Sequence, residues 1–376
     1  MNINFLLNQL PHLNFYIPII REINKNFISL KTNIFVKPSR KYNCPISYER
    51  NLKILLNCKN KYHFNIYNFD DIEKKEHSGN CFCVEGSGIQ KKINNQKMYS
   101  FINKVDFIFN TINNPSNSPN KKSMIEKVDY LIYPSKQYAE YYNRIHKKNL
   151  YLGISRYSDE KELNLESIIK KYNLKDNSNY VTIIYPHPRD LKRTNFDIEK
   201  MCKFLKSLGY KILLKNRSKN NITSNVICDY YFEDYRNSIS AHPHRTDELI
   251  SISEFVINFG STTVEEALFL KKPVINFNLK SFYHMANKTI TPELFAKEQN
   301  IENIDCSKPA LDFIYDYDFV INLPAKYKEH ELESAINFFK NNKNYLQSFE
   351  KCWNKYYNFN IEDVNLNILN HLLSKK

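Results

Sequence analysis

Three short stretches of this chain carry residues able to do chemistry. In the first, His187 stands between Pro186 and Pro188, with Arg189 immediately after. Proline fixes φ and donates no hydrogen bond, so the imidazole is held at the end of the apolar run Val181–Tyr185. An imidazole beside a guanidinium suits a phosphate that is gripped and protonated. In the second, Glu85 opens the turn Glu85-Gly-Ser-Gly88, which holds two of only six glycines in 376 residues. So glycine-rich a turn needs room or positive φ in its backbone, and the acid at its start is a candidate for chemistry. In the third, Gly260 precedes Ser261 and Thr262, and Thr262 with Glu265 makes an S/T-x-x-E capping box. Hydroxyls and free N–H groups at such a start attract an anion. Each stretch also has an ordinary reading: a proline-rich turn with a packed histidine, a turn acid, a capped helix.

The elements around these stretches set their positions. Val181–Tyr185, Phe82–Val84 and Phe255–Phe259 are strand-like runs that deliver His187, Glu85 and Ser261 to strand ends. Phe196–Leu208 has the spacing of an amphipathic helix stopped by Gly209, and Tyr210–Leu214 follows as a strand leading to Lys215 and Arg217. Val226–Cys228 reads as a strand and Asp247–Ser253 as a short helix. Such alternation implies a parallel sheet with helices on both faces. In the first half, Asn2–Leu7 suits a strand or the start of a helix, and Tyr16, Ile19, Ile20 and Ile23 fall at helical spacing. Ile34–Val36, Ile54–Leu56, Phe64–Ile66, Val105–Phe109, Asp129–Tyr133 and Leu150–Ile154 read as strands. Asn110–Lys122 reads as a surface loop and Gln137–Arg144 as a helix. The polar stretch Ser158–Lys161 marks a division into residues 1–157 and 158–345, with a helical segment over 346–376.

With 54 Lys and Arg against 40 Asp and Glu, the net charge is +14. That suits nucleic acid or an anionic membrane surface. Here Lys accompanies abundant Asn, Ile, Tyr and Phe, a pattern that AT-rich codons produce without any partner, and the aromatics sit in core-like runs rather than among the basic residues. Eight dispersed cysteines suggest a reducing compartment. No apolar run reaches a membrane span and no signal peptide is visible. The expectation is a cytoplasmic protein, with peripheral attachment at the inner membrane left open. No Asp-x-Asp metal motif stands at a strand end.

Taken together, Glu85-Gly86, His187-Pro188 and Ser261-Thr262 resemble, in order, the acid-acid-Gly, His-Pro and Ser-Ser/Thr motifs of bacterial sialyltransferases. Val84 stands where that family has its first acid. The resemblance implies a GT-B architecture, two Rossmann-like domains facing a cleft. It implies Glu85 as base for an acceptor hydroxyl and His187 at the departing phosphate. Gly86, Pro188, Arg189, Ser261, Thr262 and Glu266 would bind the donor, with Glu266 at the ribose. The donor would be CMP-sialic acid, no separate cofactor or metal would be needed, and the acceptor would be a glycan such as lipooligosaccharide or capsule. Other readings remain: a UDP-sugar-dependent GT-B enzyme, an epimerase acting on UDP-N-acetylglucosamine (Glu265-Glu266-Ala267 resembles part of its motif), or an inactive GT-B binding protein. Lys215 and Arg217 are further candidates for an anionic group. His242 and His244 form a second His-Pro pair with no clear strand before it, and His12 has no motif behind it.

Overall fold

Strands buried on both faces read as continuous apolar runs, and β8 (Tyr180–Ile184) is buried at every residue. The protein, here a computed structural model, is described over residues 1–37, 49–84, 89, 92–102, 126–133, 136, 139–140, 148–157, 163–175, 178–186, 191–192, 194–216, 228–232, 245–261, 263–279, 317–342, 344–360 and 363–374. Its first sheet holds β1 (Asn2–Leu7), β2 (Lys31–Val36), β3 (Asn65–Asn68), β4 (Gly79–Val84), β5 (Gln96–Phe101), β6 (Tyr130–Tyr133) and β7 (Asn149–Tyr151), in the order β3-β2-β1-β4-β5-β6-β7. The second holds β8, β9 (Lys211–Lys215), β10 (Tyr230–Phe232), β11 (Phe255–Asn258), β12 (Val274–Asn278) and β13 (Val320–Pro324), in the order β10-β9-β8-β11-β12-β13. All pairings in both sheets are parallel. The winding direction reverses between β1 and β4, and again between β8 and β11. A doubly wound sheet opens a ligand crevice at that reversal, outside the carboxyl ends of the strands.

Helices α1 (Leu13–Asn26) and α2 (Glu49–Tyr62) belong to the first sheet; α3 (Leu165–Lys171), α4 (Ile198–Ser207), α5 (Arg245–Ser251) and α6 (Thr263–Phe269) to the second. The chain ends in α7 (Glu329–Asn341), α8 (Tyr345–Tyr356) and α9 (Val364–Leu373). A helix apolar on most of its surface must be covered on most sides. For α1 the covers are the first sheet and α9: Ile17, Ile20 and Phe82 share one apolar cluster with Val364, Ile368, Leu369 and Leu372. The C-terminus therefore returns to the first domain. On the way, Phe269 of α6 meets Trp353 and Tyr357 with ring centroids 5.1 and 4.9 Å apart, and Phe359 next to them lies 6.0 Å from Tyr151 of β7. These rings tie the two domains together.

Several sequence expectations change. Ile54–Leu56 lies inside α2, where Ile54, Leu55, Cys58 and Tyr62 form the buried stripe; so short an apolar run has no period of its own to separate helix from strand. Of the strand expected at Val226–Cys228, residues 226 and 227 lie outside the described residues and a strand is found at Tyr230–Phe232, and the one expected to run to Ile154 ends at Tyr151. Strands β5 and β13 go unread in the sequence, since polar residues interrupt their apolar positions. Among the other expectations, Val105–Phe109, Asn110–Lys122 and Ser158–Lys161 lie outside the described residues. Gly209 follows α4 with φ +85°, as the sequence implies, and Asp197 caps the helix through a 2.8 Å bond from Lys200 N.

Gly153 joins β7 to the C-terminal return. Its φ is +86°, and a Cβ there would stand 2.6 Å from Val364 Cγ2 and 3.1 Å from the Phe359 ring. Backbone and space both require glycine. Gly153→Ala should lower unfolding free energy by about 2 kcal/mol or more in chemical denaturation, because it pushes α9 from the first domain.

Candidate functional site

In the second domain the site begins with an asparagine. Asn258 is the last residue of β11, fully buried, and in register with Asn276 of β12, which pairs in turn with Asn322 of β13. Asn258 Nδ2 donates to Asn276 Oδ1 at 3.1 Å, and Asn276 Nδ2 donates to Asn322 Oδ1 at 2.8 Å. The ladder also fixes the turn beyond β11. Gly260 N donates to Asn276 Oδ1 at 2.9 Å, with φ +65° at this glycine. Asn258 Oδ1 accepts from the Ser261 amide at 3.3 Å and from its hydroxyl at 2.8 Å. Ser261 Oγ lies 2.8 Å from Thr263 Oγ1 and accepts from the Thr263 amide at 3.2 Å, at the start of α6. The Ser261 hydroxyl is therefore a fixed dipole.

Glu266, on the next turn of α6, forms an ion pair with Arg156, and Asp247 of α5 lies 3.9 Å from the same guanidinium. Arg156 sits in the 3-10 turn Ser155–Tyr157, just after the last strand of the first sheet. The carboxylate expected at a ribose is here bonded across the domains by a side chain only 14% exposed. Lys215, at the end of β9, is buried and donates to its neighbour's carbonyl, Asn216 O, at 2.8 Å.

In the first domain Asn8 and His12 follow the switch-point strand β1. Ser155 Oγ donates to Phe15 O in the first turn of α1 at 2.7 Å, so this end of α1 lies beside the turn that carries Arg156. Burial pushes the His12 imidazole down to about 3, which keeps it neutral at any working pH.

Of the residues singled out in the sequence, Ser261 and Glu266 are thus brought onto one helix start that meets the first domain. Glu85, Gly86, His187, Pro188, Arg189 and Thr262 lie outside the described residues, as do Arg217, His242 and His244. The strands before them are described, and they are informative: Val84 ends β4, Ile184 ends β8 and Asn258 ends β11. All three are switch-point strands. Among the described residues no group of three or more His, Cys, Asp or Glu is placed to hold a metal, and no helix is long and apolar enough to cross a membrane. The sequence reading missed Asn258, Asn276, Asn8 and Arg156. Only Asn258 carried a local signal, as a polar residue closing an apolar strand just before Gly260.

No protein-family model and no curated protein matches the chain. Solved structures do. The wall teichoic acid polymerase TagF superposes with a TM-score of 0.63 at 13% identity, covering 100% of this chain and 89% of the TagF chain. The Neisseria meningitidis UDP-GlcNAc 2-epimerase, bound to UDP-GlcNAc, gives 0.62 at 11% identity and covers both chains fully. S. aureus MnaA with UDP gives 0.59 at 10%, over 100% of this chain and 96% of its own. The fold is GT-B. At these identities the likeness establishes the GT-B architecture, and the chemistry rests on the residues in its cleft.

Two predictions follow from this geometry. Asn276→Leu removes the buried acceptor shared by Gly260 N and Asn258 Nδ2, of which the latter keeps Ser261 O at 3.2 Å, at about 1–3 kcal/mol for a bond lost in a buried site. It should cost at least about 2 kcal/mol in urea unfolding, whereas Asn322→Leu, at an exposed position, should cost much less. For His12, the unfolded chain takes up its proton near 6.5 and the folded chain only near 3. Between those values the unfolded state binds more protons, so stability falls as pH is lowered. From pH 7 to pH 5 this group alone should remove about 2 kcal/mol of unfolding free energy. His12→Gln should show a correspondingly shallower pH dependence in denaturant titrations.

Proposed function

We propose that this GT-B protein is a metal-independent sialyltransferase that transfers sialic acid from CMP-sialic acid to a glycan hydroxyl with inversion. The observation that supports this reading most is topological. The three short motifs follow β4, β8 and β11, each a strand at the reversal of its sheet. Chance placement among the strands would not favour those ends, and ligands of doubly wound sheets bind there. The resemblance assigns the parts. Glu85 removes the proton from the acceptor hydroxyl as its oxygen attacks the anomeric carbon. The bond from that carbon to the phosphate oxygen breaks on the opposite face, which inverts the centre. His187 hydrogen-bonds and protonates the leaving phosphate, with Arg189 and Thr262 supplying further donors and the Ser261 hydroxyl, which donates to Asn258 Oδ1 in the free protein, turning to the phosphate on binding. Gly86 and Pro188 shape the two turns. Glu266 takes the ribose once it exchanges Arg156 for the nucleotide. Acceptor glycans of the lipooligosaccharide or capsule kind fit a cytoplasmic enzyme working at the inner face of the membrane.

A second reading follows from the structural neighbours. One of them is a UDP-GlcNAc 2-epimerase bound to UDP-GlcNAc and another, MnaA, holds UDP, and Glu265-Glu266-Ala267 follows a strand and turn as in the epimerase motif, although Ser261 and Thr262 occupy the place of its paired glycines. A UDP-sugar-dependent enzyme is therefore the alternative, and an inactive binding protein the third.

Nucleotide release from CMP-sialic acid and from UDP-sugars, with and without a galactose-terminated acceptor, separates these. Acceptor-stimulated CMP release is expected. Glu85→Gln should bind CMP-sialic acid like the wild type and transfer roughly 100-fold more slowly. His187→Ala should slow both transfer and donor hydrolysis, because the phosphate departs in each. UDP release with none of CMP would sink the sialyltransferase reading.

A further inference from the structure

The cleft end of the first domain holds polar groups that the protein itself leaves unsatisfied. Asn8 directly follows β1 and has no exposed surface, yet neither its Oδ1 nor its Nδ2 has a hydrogen-bond partner. His12, four residues on at the start of α1, is 7% exposed and its Nδ1 is likewise unpaired. Buried polar atoms are nearly always paired, and those that are not call for an explanation, ligand binding among them. Elsewhere in the same sheet the in-register amides are paired: Asn65, Asn33 and Asn4 form a ladder with bonds of 3.1 and 2.9 Å, and Asn4 reaches Gln96 at 2.8 Å. Single buried oxygens of Thr32, Tyr99, Asn149 and Tyr151 are also unpaired, but among the described residues Asn8 is the one amide with both edges unpaired, and it stands with His12 beyond the carboxyl end of β1.

Position and chemistry point the same way. β1 is one of the two strands at the reversal of its sheet. Three residues past His12, the Phe15 carbonyl is bonded to Ser155, and the adjoining Arg156 is paired with Glu266. The unpaired groups thus belong to the end of the first domain that meets α6. An amide offers one acceptor and one donor edge, and a neutral imidazole nitrogen serves as either. Together they match neighbouring sugar hydroxyls, which also both donate and accept. An anion would gain nothing from the amide oxygen.

We propose that Asn8 and His12 form the acceptor-sugar subsite, hydrogen-bonding the hydroxyls of an uncharged pyranoside. The proposal rests on the glycosyltransferase reading above for the word acceptor, while sugar binding at these two residues stands by itself. Neither group is open to solvent, so the sugar reaches them only as the cleft opens. His12 here orients the acceptor and Glu85 remains the base.

The test uses the full chain with Asn8→Leu and His12→Phe, which keep approximate shape and remove the polar atoms. Calorimetric titration with lactose and with methyl β-galactoside should show binding to the wild type and at least ten-fold weaker binding to each variant. Thermal midpoints should equal or exceed that of the wild type, because unpaired buried groups have been removed. In transfer assays, acceptor KM should rise at least ten-fold while kcat at saturating acceptor changes less than three-fold. Should either variant fail to fold, Asn8→Asp and His12→Asn carry the same titrations. Wild-type protein that binds neither saccharide would overturn the proposal, as would variants that bind like the wild type, whatever their stability. Loss of saccharide binding in the variants, in a protein that turns over no nucleotide sugar, would sustain the subsite and reject the transferase reading. Turnover with unaltered sugar affinity in the variants would do the reverse.

Discussion

The second domain depends on an amide chain, Asn258 to Asn276 to Asn322, that crosses three parallel strands in register. Burying the primary amides of Asn258 and Asn276 is costly unless each edge finds a partner. In register, each side chain can donate to the next and accept from the last. The chain then spends its remaining acceptors on the turn: Asn276 takes Gly260 N, and Asn258 takes the amide and hydroxyl of Ser261. A turn with φ +65° at Gly260 would otherwise be one of many loop conformations. Bonded in this way it has one, and α6 leaves the sheet in a fixed direction with Ser261 at its start.

The first sheet uses the same device at a different height. Its ladder runs through Asn65, Asn33 and Asn4, with Asn4 in the amino-terminal half of β1, and ends on Gln96 and the carbonyls of Ile72 and His77. It holds turns at the end of the sheet away from the cleft, so nothing of it reaches Asn8. The two domains share a fold and a polar stabilising device, but they place their fixed and unsatisfied groups differently. In the second, the switch-point polar groups are bonded to one another. In the first, Asn8 and His12 are left with hydrogen-bonding capacity to give a ligand. On the proposed reading this divides the work between a donor held by the turn before α6 and an acceptor bound by groups that gain partners only on binding.

What the sequence made legible follows from range. Strands β8 and β11 and helix α4 announce themselves locally, through apolar runs, Pro186 and Gly209. The class and the double winding follow from their alternation. Ile54–Leu56 misleads because three apolar residues have no period, and the stripe that makes α2 helical includes Cys58 and Tyr62, which look unremarkable in isolation. The asparagine ladders are invisible for another reason. Asn258, Asn276 and Asn322 come together only when strands far apart in sequence settle into one register, and in a chain rich in Asn no single position stands out. Arg156 and Glu266 are likewise 110 residues apart. A titratable residue whose significance lies in lacking a partner, as with His12, cannot be recognised before the partners of every neighbouring group are known.

The ion pair between Arg156 and Glu266 bears on how such a cleft works. Both side chains are largely buried, and removing one partner from a buried pair leaves a charge that the interior cannot solvate. The domains are therefore held together by an interaction whose acid is also the one that the proposed function assigns to a nucleotide ribose. A nucleotide that engages Glu266 must supply hydrogen bonds in place of the guanidinium, and Arg156 must then find another anion, for which Asp247 already lies 3.9 Å away. The same turn carries Ser155, which is bonded to Phe15 of α1, so the Glu266 pair and the end of the first domain where Asn8 and His12 lie are connected through one short turn, residues 155–157.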